Sequence, residues 1–224
     1  MFMPNPGKTR RPSSELTRTA LIEAGLNLFG KHGFDATSTR DLAAAANTNI
    51  ASIAYHFGGK EGLLQACAQA VVDRIKDVAG RTLLASPPAK DADEAAAMLE
   101  TVFSTVIRFI VSNPDAQNIA NFILREITDS KEIVEHVYAE LFGPLHIKLC
   151  QLWGTATGSD PESPRTRLAV FSAIGQMIYF RVGRPMVLKR MDWSDIGAEE
   201  ADQIIATILA NLRAMIAAAR EGAP

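Results

Sequence analysis

The residues best suited to chemistry lie between positions 39 and 60, where hydroxyl, amide, imidazole and cationic side chains follow one another closely. Such groups form hydrogen bonds with base edges and ion pairs with phosphates, which is the chemistry of DNA contact. The residues that we expect to contact DNA are Thr39, Arg40, Thr48, Asn49, Ser52, Tyr55, His56 and Lys60.

Three of these side chains are placed to read base edges. Asn49, Ser52 and Tyr55 can present polar atoms on one exposed side of a short helix, and a helix of that size fits the major groove. Two uses remain open for Asn49, because asparagine is also a good helix N-cap. Ile53 and Phe57 are expected to be core residues that close the unit around this helix.

Other groups are better suited to phosphates. Thr39 and Arg40 begin a helix, where backbone N–H groups favour an anion, and Lys60 begins another with its own charge added. Three cations of the N-terminal arm could follow the DNA backbone or enter a minor groove, or could simply be solvated: Lys8, Arg10 and Arg11.

Three predicted helices must position these groups. The second begins with a capping-box pattern, Ser38-x-x-Asp41. Asn47 lies in the turn that follows, and asparagine tolerates the left-handed backbone that such turns need. Gly58-Gly59 ends the third. The first and third helices are expected at about 16–32 and 50–57, and the second is expected to start at about residue 39.

The remainder of the chain is also predicted to be helical. No segment shows the alternation of a strand, so the expected fold is all-α with about nine helices. Gly143-Pro144 should disturb one helix, and Pro185 leaves the exit of another uncertain. The further helices are expected at about 60–84, 93–111, 113–128, 130–153, 165–182 and 198–220, with loops at 85–92 and 155–164.

Length and charge suggest that the chain has two parts with different functions. The 224 residues suffice for one large domain or two modest ones, and the first 60 carry seven Lys or Arg against four Asp or Glu, whereas the remainder is acidic. We expect a disordered basic arm at 1–14, a DNA-binding domain at 15–65 and a larger helical domain at 66–224. Cys67 and Cys150 form no disulfide or zinc pattern, and no signal peptide or long membrane span is evident, so a cytoplasmic protein is expected.

Over residues 17–65 the sequence resembles the TetR family of bacterial transcriptional regulators. Three segments carry the resemblance: the end of the first helix at 28–34, Thr39-Arg-Asp-Leu-Ala43, and Tyr55-His-Phe-Gly-Gly-Lys-Glu-Gly-Leu63. Two positions depart from the pattern: Asn47 stands where the family usually has Gly, and Ile50 where Lys is common. The resemblance implies a homodimer whose two third helices enter successive major grooves of a palindromic operator.

Two late helices carry apolar stripes that could build such a dimer. In TetR-like proteins the last two long helices form a four-helix interface, and the resemblance implies the same here; on spacing alone, both could equally be internal core. On the helix at 165–182 one stripe is Leu168, Phe171, Gly175, Ile178 and Val182, and another is Val170, Ile174, Met177 and Arg181. The helix at 198–220 carries Ala201, Ile205, Ile208, Leu212, Met215 and Ala219.

Beyond residue 90 the chain resembles the CecR-type C-terminal domain, through 109–114, Arg125-Glu126 and 176–185. This implies a body that responds to a small-molecule effector. Candidate ligand residues are aromatic, apolar or basic, as in many small-molecule sites and in ordinary cores: Phe103, Ile107, Phe122, Arg125, Phe142, His146, Trp153, Met177 and Arg181. If Arg125 or Arg181 is buried, it needs an anion, either a carboxylate such as Glu126 or an acidic ligand.

No catalytic arrangement is evident, and neither a cofactor nor a metal site is expected. His136 and Glu140 share a helix face and could hold a metal, but a third ligand is not apparent, and such a pair usually marks a solvated face. The sequence therefore predicts a ligand-responsive repressor that leaves its operator when an effector binds. The alternatives are a DNA-binding regulator controlled by a partner protein, and a helical enzyme or carrier that kept the DNA-binding head.

Overall fold

A computed structural model of the chain describes residues 14–80, 83, 86–113 and 115–222, so the basic arm with Lys8, Arg10 and Arg11 lies outside the described residues. Within these ranges every regular element is helical, which confirms the all-α prediction. The chain divides into two compact units, Met1–Cys67 and Ala68–Pro224.

The first unit is a bundle of short helices. It contains α1 (Ser14–His32), α2 (Thr39–Ala45), α3 (Ala51–Phe57) and the start of α4 (Lys60–Ile75), which continues into the second unit.

The core of the first unit is apolar and tightly packed. Phe29, Leu42 and Leu63 are completely buried. Gly25 faces Cys67 so closely that an added Cβ would lie 2.6 Å from its Sγ. Cys67 is itself fully buried, and its thiol donates to the carbonyl of Ile22 at 3.5 Å, so this cysteine has a packing role.

The second unit begins inside α4. A π-helical turn, Lys76–Gly80, follows the α-helical part. After it come α5 (Ala92–Ser112), α6 (Asp115–Asp129) and α7 (Lys131–Val137), then a second π-helical turn (Tyr138–Phe142). The last elements are α8 (Gly143–Thr157), α9 (Pro164–Val182), α10 (Arg184–Met191) and α11 (Ala198–Glu221).

Helix α5 is the centre of the second unit and packs mainly on α8, α9 and α11. Three ion pairs join α5 to α11, and residues later in α5 pair with residues earlier in α11, so the two helices are antiparallel. The pairs are Asp93–Arg220, Glu100–Arg213 and Arg108–Asp202. Hydrogen bonds from Arg213 hold the pKa of the Glu100 carboxyl below its ordinary value. Both helices are long and apolar enough to cross a membrane by length and composition alone. Their buried side chains form this core instead.

Several helix boundaries differ from the predictions. The helix expected at 60–84 is α-helical only to Ile75, where the wider π turn begins. The helix expected at 130–153 is divided by the second π turn, directly before Gly143-Pro144. Helix α10 is not among the expected helices, because Pro185 left the exit of the preceding helix uncertain. Pro185 lies at the second position of α10, and the first turn of a helix accepts proline. Pro114, predicted to open a helix, lies outside the described residues.

Candidate functional site

The start of α2 is held by a complete capping box. The Ser38 hydroxyl accepts from the amide of Asp41 at 3.1 Å, and the Asp41 carboxylate accepts from the amide and the hydroxyl of Ser38. These bonds lower the pKa of Asp41. An ionised carboxylate therefore already lies at this helix N-terminus, which leaves the exposed Arg40 side chain as the group of α2 better suited to a phosphate.

The turn between α2 and α3 has the predicted geometry. Asn47 adopts a left-handed backbone with φ of 48°, which asparagine tolerates where the family usually has Gly. The amide of Thr48 donates to the carbonyl of Ala43, and this bond fastens the turn to α2. The turn thereby fixes the direction in which α3 leaves α2.

The Asn49 side chain accepts a hydrogen bond just ahead of α3, one residue before Ile50 at the N-cap position. Its Oδ1 accepts from the amide of Ala51 at 3.0 Å, so it satisfies the first N–H of α3, which favours a capping use of this side chain over base contact. The hydroxyls of Thr48 and Ser52 are 3.0 Å apart and hydrogen-bonded, so these two candidates form one polar group at the N-terminal end of α3.

The outer face of α3 is open to solvent. Tyr55 is 80% exposed, and its ring meets the His56 ring edge to face at 4.9 Å. Ile53 is buried as predicted, whereas Ile50 is 45% exposed at the start of the helix. An exposed apolar side chain beside Ser52 offers no phosphate contact, but it can pack against a thymine methyl group.

Two cations lie over aromatic rings near α3. The Lys60 ammonium lies 4.1 Å from the centre of the Phe34 ring, so the first residue of α4 is positioned by a cation–π contact. Arg18 of α1 lies over the Phe57 ring at 5.5 Å. Arg18 is not among the predicted residues, because nothing in the spacing of α1 shows that this exposed position adjoins α3.

In the second unit, most of the predicted ligand residues lie in the interior. The buried ones are Phe103, Ile107, Phe122, His146, Trp153, Met177 and Arg181. Phe142 is half-buried and Arg125 is exposed, so Arg125 does not need the buried anion that its proximity to Glu126 suggested. The set as a ligand site stays a prediction.

His146 belongs to an aromatic cluster on α8 and α9. Its ring lies 4.2 Å from that of Phe171 and 5.8 Å from that of Phe142. Its Nδ1 lies 3.6 Å from the Cys150 Sγ. Burial lowers the pKa of His146 and raises that of Cys150, so both groups are held in their neutral forms.

A surface groove of about 620 Å³ opens on a different face of α5 from the buried candidates. It lies between α5 and the first π turn, and none of the nine predicted ligand residues lines it. Its lining consists of Val78, Ser104, Thr105, Arg108, Phe109, Ser112 and Asn113. Because the lining mixes hydroxyl, guanidinium, amide and aromatic groups, the groove could accept a polar small molecule.

His136 and Glu140, for which no metal was expected, form contacts with other elements. His136 Nε2 hydrogen-bonds to Gln69 Oε1 at 3.0 Å, and Glu140 pairs with Lys76 at 3.2 Å. These contacts join the end of α4 and the first π turn to α7 and the second π turn. Among the residues that the structure describes, no group of His, Cys, Asp or Glu could hold a metal ion.

The two stripes of α9 have different environments. Val170 and Met177 are buried, whereas the other stripe is exposed: Leu168 67%, Phe171 47%, Ile178 41% and Val182 51%. An added Cβ on Gly175, in the middle of the exposed stripe, would meet nothing within 4 Å. This face of α9 is therefore apolar and largely exposed, although the Phe171 ring also packs against Phe142 and His146.

The stripe of α11 belongs to the core. Ala201, Ile205, Ile208 and Leu212 are buried against the chain's own helices, so they do not form a free partner surface. The opposite face of α11 is exposed and rich in alanine. An Asn211–Gln176 hydrogen bond of 2.9 Å joins α11 to α9, and the exposed faces of the two helices adjoin there.

Comparisons with known proteins agree with this architecture. Residues 21–67 match the family profile of the bacterial regulatory proteins of the TetR family. Residues 95–219 match the profile of the C-terminal domain of the HTH-type transcriptional dual regulator CecR. The first match falls within the first unit and the second match within the second unit.

Relatives match over different lengths. The transcriptional dual regulator CecR of Shigella flexneri is 32% identical over 94% of this chain and 95% of its own length. The regulatory protein RaaS of Mycobacterium tuberculosis is 39% identical, over 34% of this chain and 36% of its own.

Solved structures share the fold at low identity. A transcriptional regulator from Pseudomonas aeruginosa PAO1 superposes with a TM-score of 0.69 at 18% identity, covering 95% of this chain and 97% of its own. AibR, solved with isovaleryl coenzyme A and operator DNA, has a TM-score of 0.66 at 16% identity, covering 87% of this chain and 97% of its own.

Proposed function

Because the chain belongs to the TetR family of bacterial transcriptional regulators, in the branch with a CecR-type C-terminal domain, we propose that it is a homodimeric repressor released from its operator by an effector. The chain is thus a DNA-binding regulator and not an enzyme. We place it in the cytoplasm, bound without effector to a palindromic site near its own or a neighbouring gene. An effector in the second unit would release it.

The exposed apolar stripe of α9 is the observation that carries the dimer. Leu168, Phe171 and Ile178 lie on one face with Gly175 between them, which allows a second helix to approach closely. A two-fold pairing of this face with itself, together with the exposed side of α11, supports two copies of α3 on successive major grooves.

Helix α4 offers a route from effector to DNA, since the division between the two units falls within it. In the proposed mechanism an effector moves α4 and changes the separation of the two heads. The effector can shift DNA binding only by its different affinities for the two arrangements, and a useful switch needs ~1–3 kcal/mol of coupling. AibR, solved with an acyl thioester and operator DNA, supports effector control as a working principle for this fold.

The experiment that tests DNA binding is fluorescence anisotropy with the DNA that flanks the protein's own gene, across a salt series. We expect the double variant Arg40→Ala, Lys60→Ala to bind every sequence more weakly. Its log–log salt slope should be flatter by about 4, since two phosphate contacts per subunit, four per bound dimer, are lost. The fold should survive, because Arg40 is exposed and Lys60 loses only its contact with Phe34.

Ser52→Ala is the matched control for this prediction. It should leave the salt slope unchanged and alter the preference among operator sequences, by ~1–3 kcal/mol at the base pair concerned. If the double variant and Ser52→Ala had the same effect, the assignment of α3 to the major groove would be wrong.

A further inference from the structure

Arg181 is a cation in the interior of the second unit. Its side chain is on the inward stripe of α9, one turn beyond Met177, and only 6% of the residue is exposed. The other residues of that stripe belong to the apolar core, Val170 and Met177 as buried members and Ile174 packed against it. Arg181 therefore lies on the face of α9 that the fold keeps from water.

Within the described parts of the chain, Arg181 has no compensating partner. Its Nε forms no hydrogen bond, and no carboxylate pairs with its guanidinium. In particular, the buried Glu126 forms no ion pair with it, although the sequence offered that carboxylate as a partner. The charge that acts on it is that of Arg184, and burial followed by this like charge lowers the pKa of Arg181.

An arrangement of this kind is costly. A buried charge without a partner destabilises a fold, and the guanidinium keeps its proton under all ordinary conditions. Buried arginines are normally paired, since their planar fork of donors matches a carboxylate or a phosphate with two parallel hydrogen bonds. The buried Nε of Arg181, which has no hydrogen-bond partner, is a donor that an anion could use.

We propose that Arg181 binds the acidic group, a carboxylate or a phosphate, of a small-molecule effector with an apolar body. This inference rests on the proposed function, because it names the chemical class of the effector. The apolar side chains of the core, such as Met177, suit the body of the ligand, and Arg181 supplies the charge that selects for an acid over a neutral analogue.

The groove beside α5 lies at the same end of the unit. Arg184, three residues beyond Arg181, donates to the main-chain carbonyl of Val111 at 3.3 Å. Ser112, the last residue of α5, and Asn113, which follows it, line the groove. The groove therefore adjoins the end of α5 that Arg184 contacts.

The test is thermal unfolding of the full chain with three probes of equal chain length: octanoate, octyl phosphate and octanol. We expect at least one acid to raise the Tm of the wild-type protein by about 2–4 °C or more, and octanol not to. The comparison between octanoate and octyl phosphate distinguishes a carboxylate from a phosphate as the preferred group.

Arg181→Met should abolish the shift by the acids. Its own Tm without ligand should equal or exceed that of the wild type, because an unpaired buried charge has been replaced by an apolar side chain. A merely structural arginine would instead lower the Tm when removed. Arg181→Lys, which keeps the charge without the planar fork, provides a second variant with a reduced shift.

Lys189→Met is the matched control, since it removes one exposed positive charge from neighbouring α10 and should keep the full shift. The proposal is overturned if neither acid stabilises the wild-type protein, or if Arg181→Met retains the shift.

DNA release, measured in parallel, separates this inference from the proposed function. If octanol released the wild type and Arg181→Met from DNA equally, effector control would stand and the role of Arg181 would be wrong. If the protein bound no operator, the proposed function would fail while the Tm shifts still decided the role of Arg181.

Discussion

The His146 imidazole stacks on the Phe142 ring, lies tilted against the Phe171 ring and touches the Cys150 thiol inside the second unit. Burial is the main reason that its pKa lies below the ordinary 6.5, and the positive charge of Arg167 lowers it further. The main chain of Arg167 and the carboxylate of Glu162 act in the opposite direction. The cluster therefore favours the neutral ring.

This shift predicts a pH dependence of stability. As the pH falls through 6.5 the unfolded chain takes up a proton on His146 before the folded chain does, so the folded state loses stability between that pH and the lower folded pKa. Above 6.5 the contribution is fully present. The Tm of the wild type should decline between pH 7.5 and pH 5.5 by more than that of His146→Gln. Equal declines would show that His146 does not titrate in this way.

Individual side chains were predictable where local chemistry determined them. The capping box of Ser38 and Asp41 and the left-handed Asn47 both follow from short-range rules. The position of Arg125 did not, because whether a helical residue faces the core or solvent depends on the helices packed beside it. Arg18 was missed for the same reason.

At the scale of elements, the junction of α3 and α4 is the tightest connection in the first unit. Gly58 and Gly59 have φ of 76° and 153°, which side-chain-bearing residues rarely adopt. Gly62 then passes the carbonyl oxygen of Phe57 so closely that an added Cβ would lie 1.9 Å from it. A side chain at position 62 could not be accommodated by a rotamer change of a neighbour, since the obstructing atom is a backbone oxygen.

Gly62→Ala should therefore strain this junction and destabilise the first unit by about 1–3 kcal/mol. Hydrogen exchange would show faster exchange in α1–α3, and affinity for operator DNA should fall several-fold. Glu61→Ala, at an exposed position in the same turn, is the control and should change stability by less than about 0.5 kcal/mol. Unchanged exchange in Gly62→Ala would contradict the close approach.

Helix boundaries were predictable where a stop or a cap is written in the sequence. The expected limits at 198–220 and 165–182 lie within one residue of α11 and α9. The two π turns were not foreseen as such, because a π turn depends on contacts between helices rather than on one segment. Lys76 and Glu140, one in each turn, form an ion pair across 64 residues of sequence.

At the scale of the whole molecule, the exposed stripe of α9 makes the oligomeric state testable. Leu168→Glu combined with Ile178→Glu places two charges on the proposed interface, where unpaired buried charges are costly. Sedimentation velocity should show the 24.2 kDa monomer in place of a dimer. Operator affinity should fall sharply, since one head would bind alone.

Leu124→Glu, at another exposed apolar position on α6, is the control and should leave the dimer intact. A wild-type protein that sediments as a monomer would contradict the dimer directly. A double variant that remains dimeric would move the interface away from α9.

The two apolar helices near the C-terminus show what a pattern leaves open. The stripe of α11 and the outer stripe of α9 have the same 3–4 spacing, yet one is core and the other is exposed. The pattern predicts that an apolar face needs a neighbour, but only the packing of α5 shows which face receives one within the chain.

The aromatic composition of the two units has a spectroscopic consequence. Both tryptophans of the chain, Trp153 and Trp193, belong to the second unit, and Trp153 is only 3% exposed. Intrinsic tryptophan emission therefore reports on the body alone, while the DNA-reading head is silent. Events in the effector domain can thus be followed optically while the protein is bound to its operator, without attaching any dye.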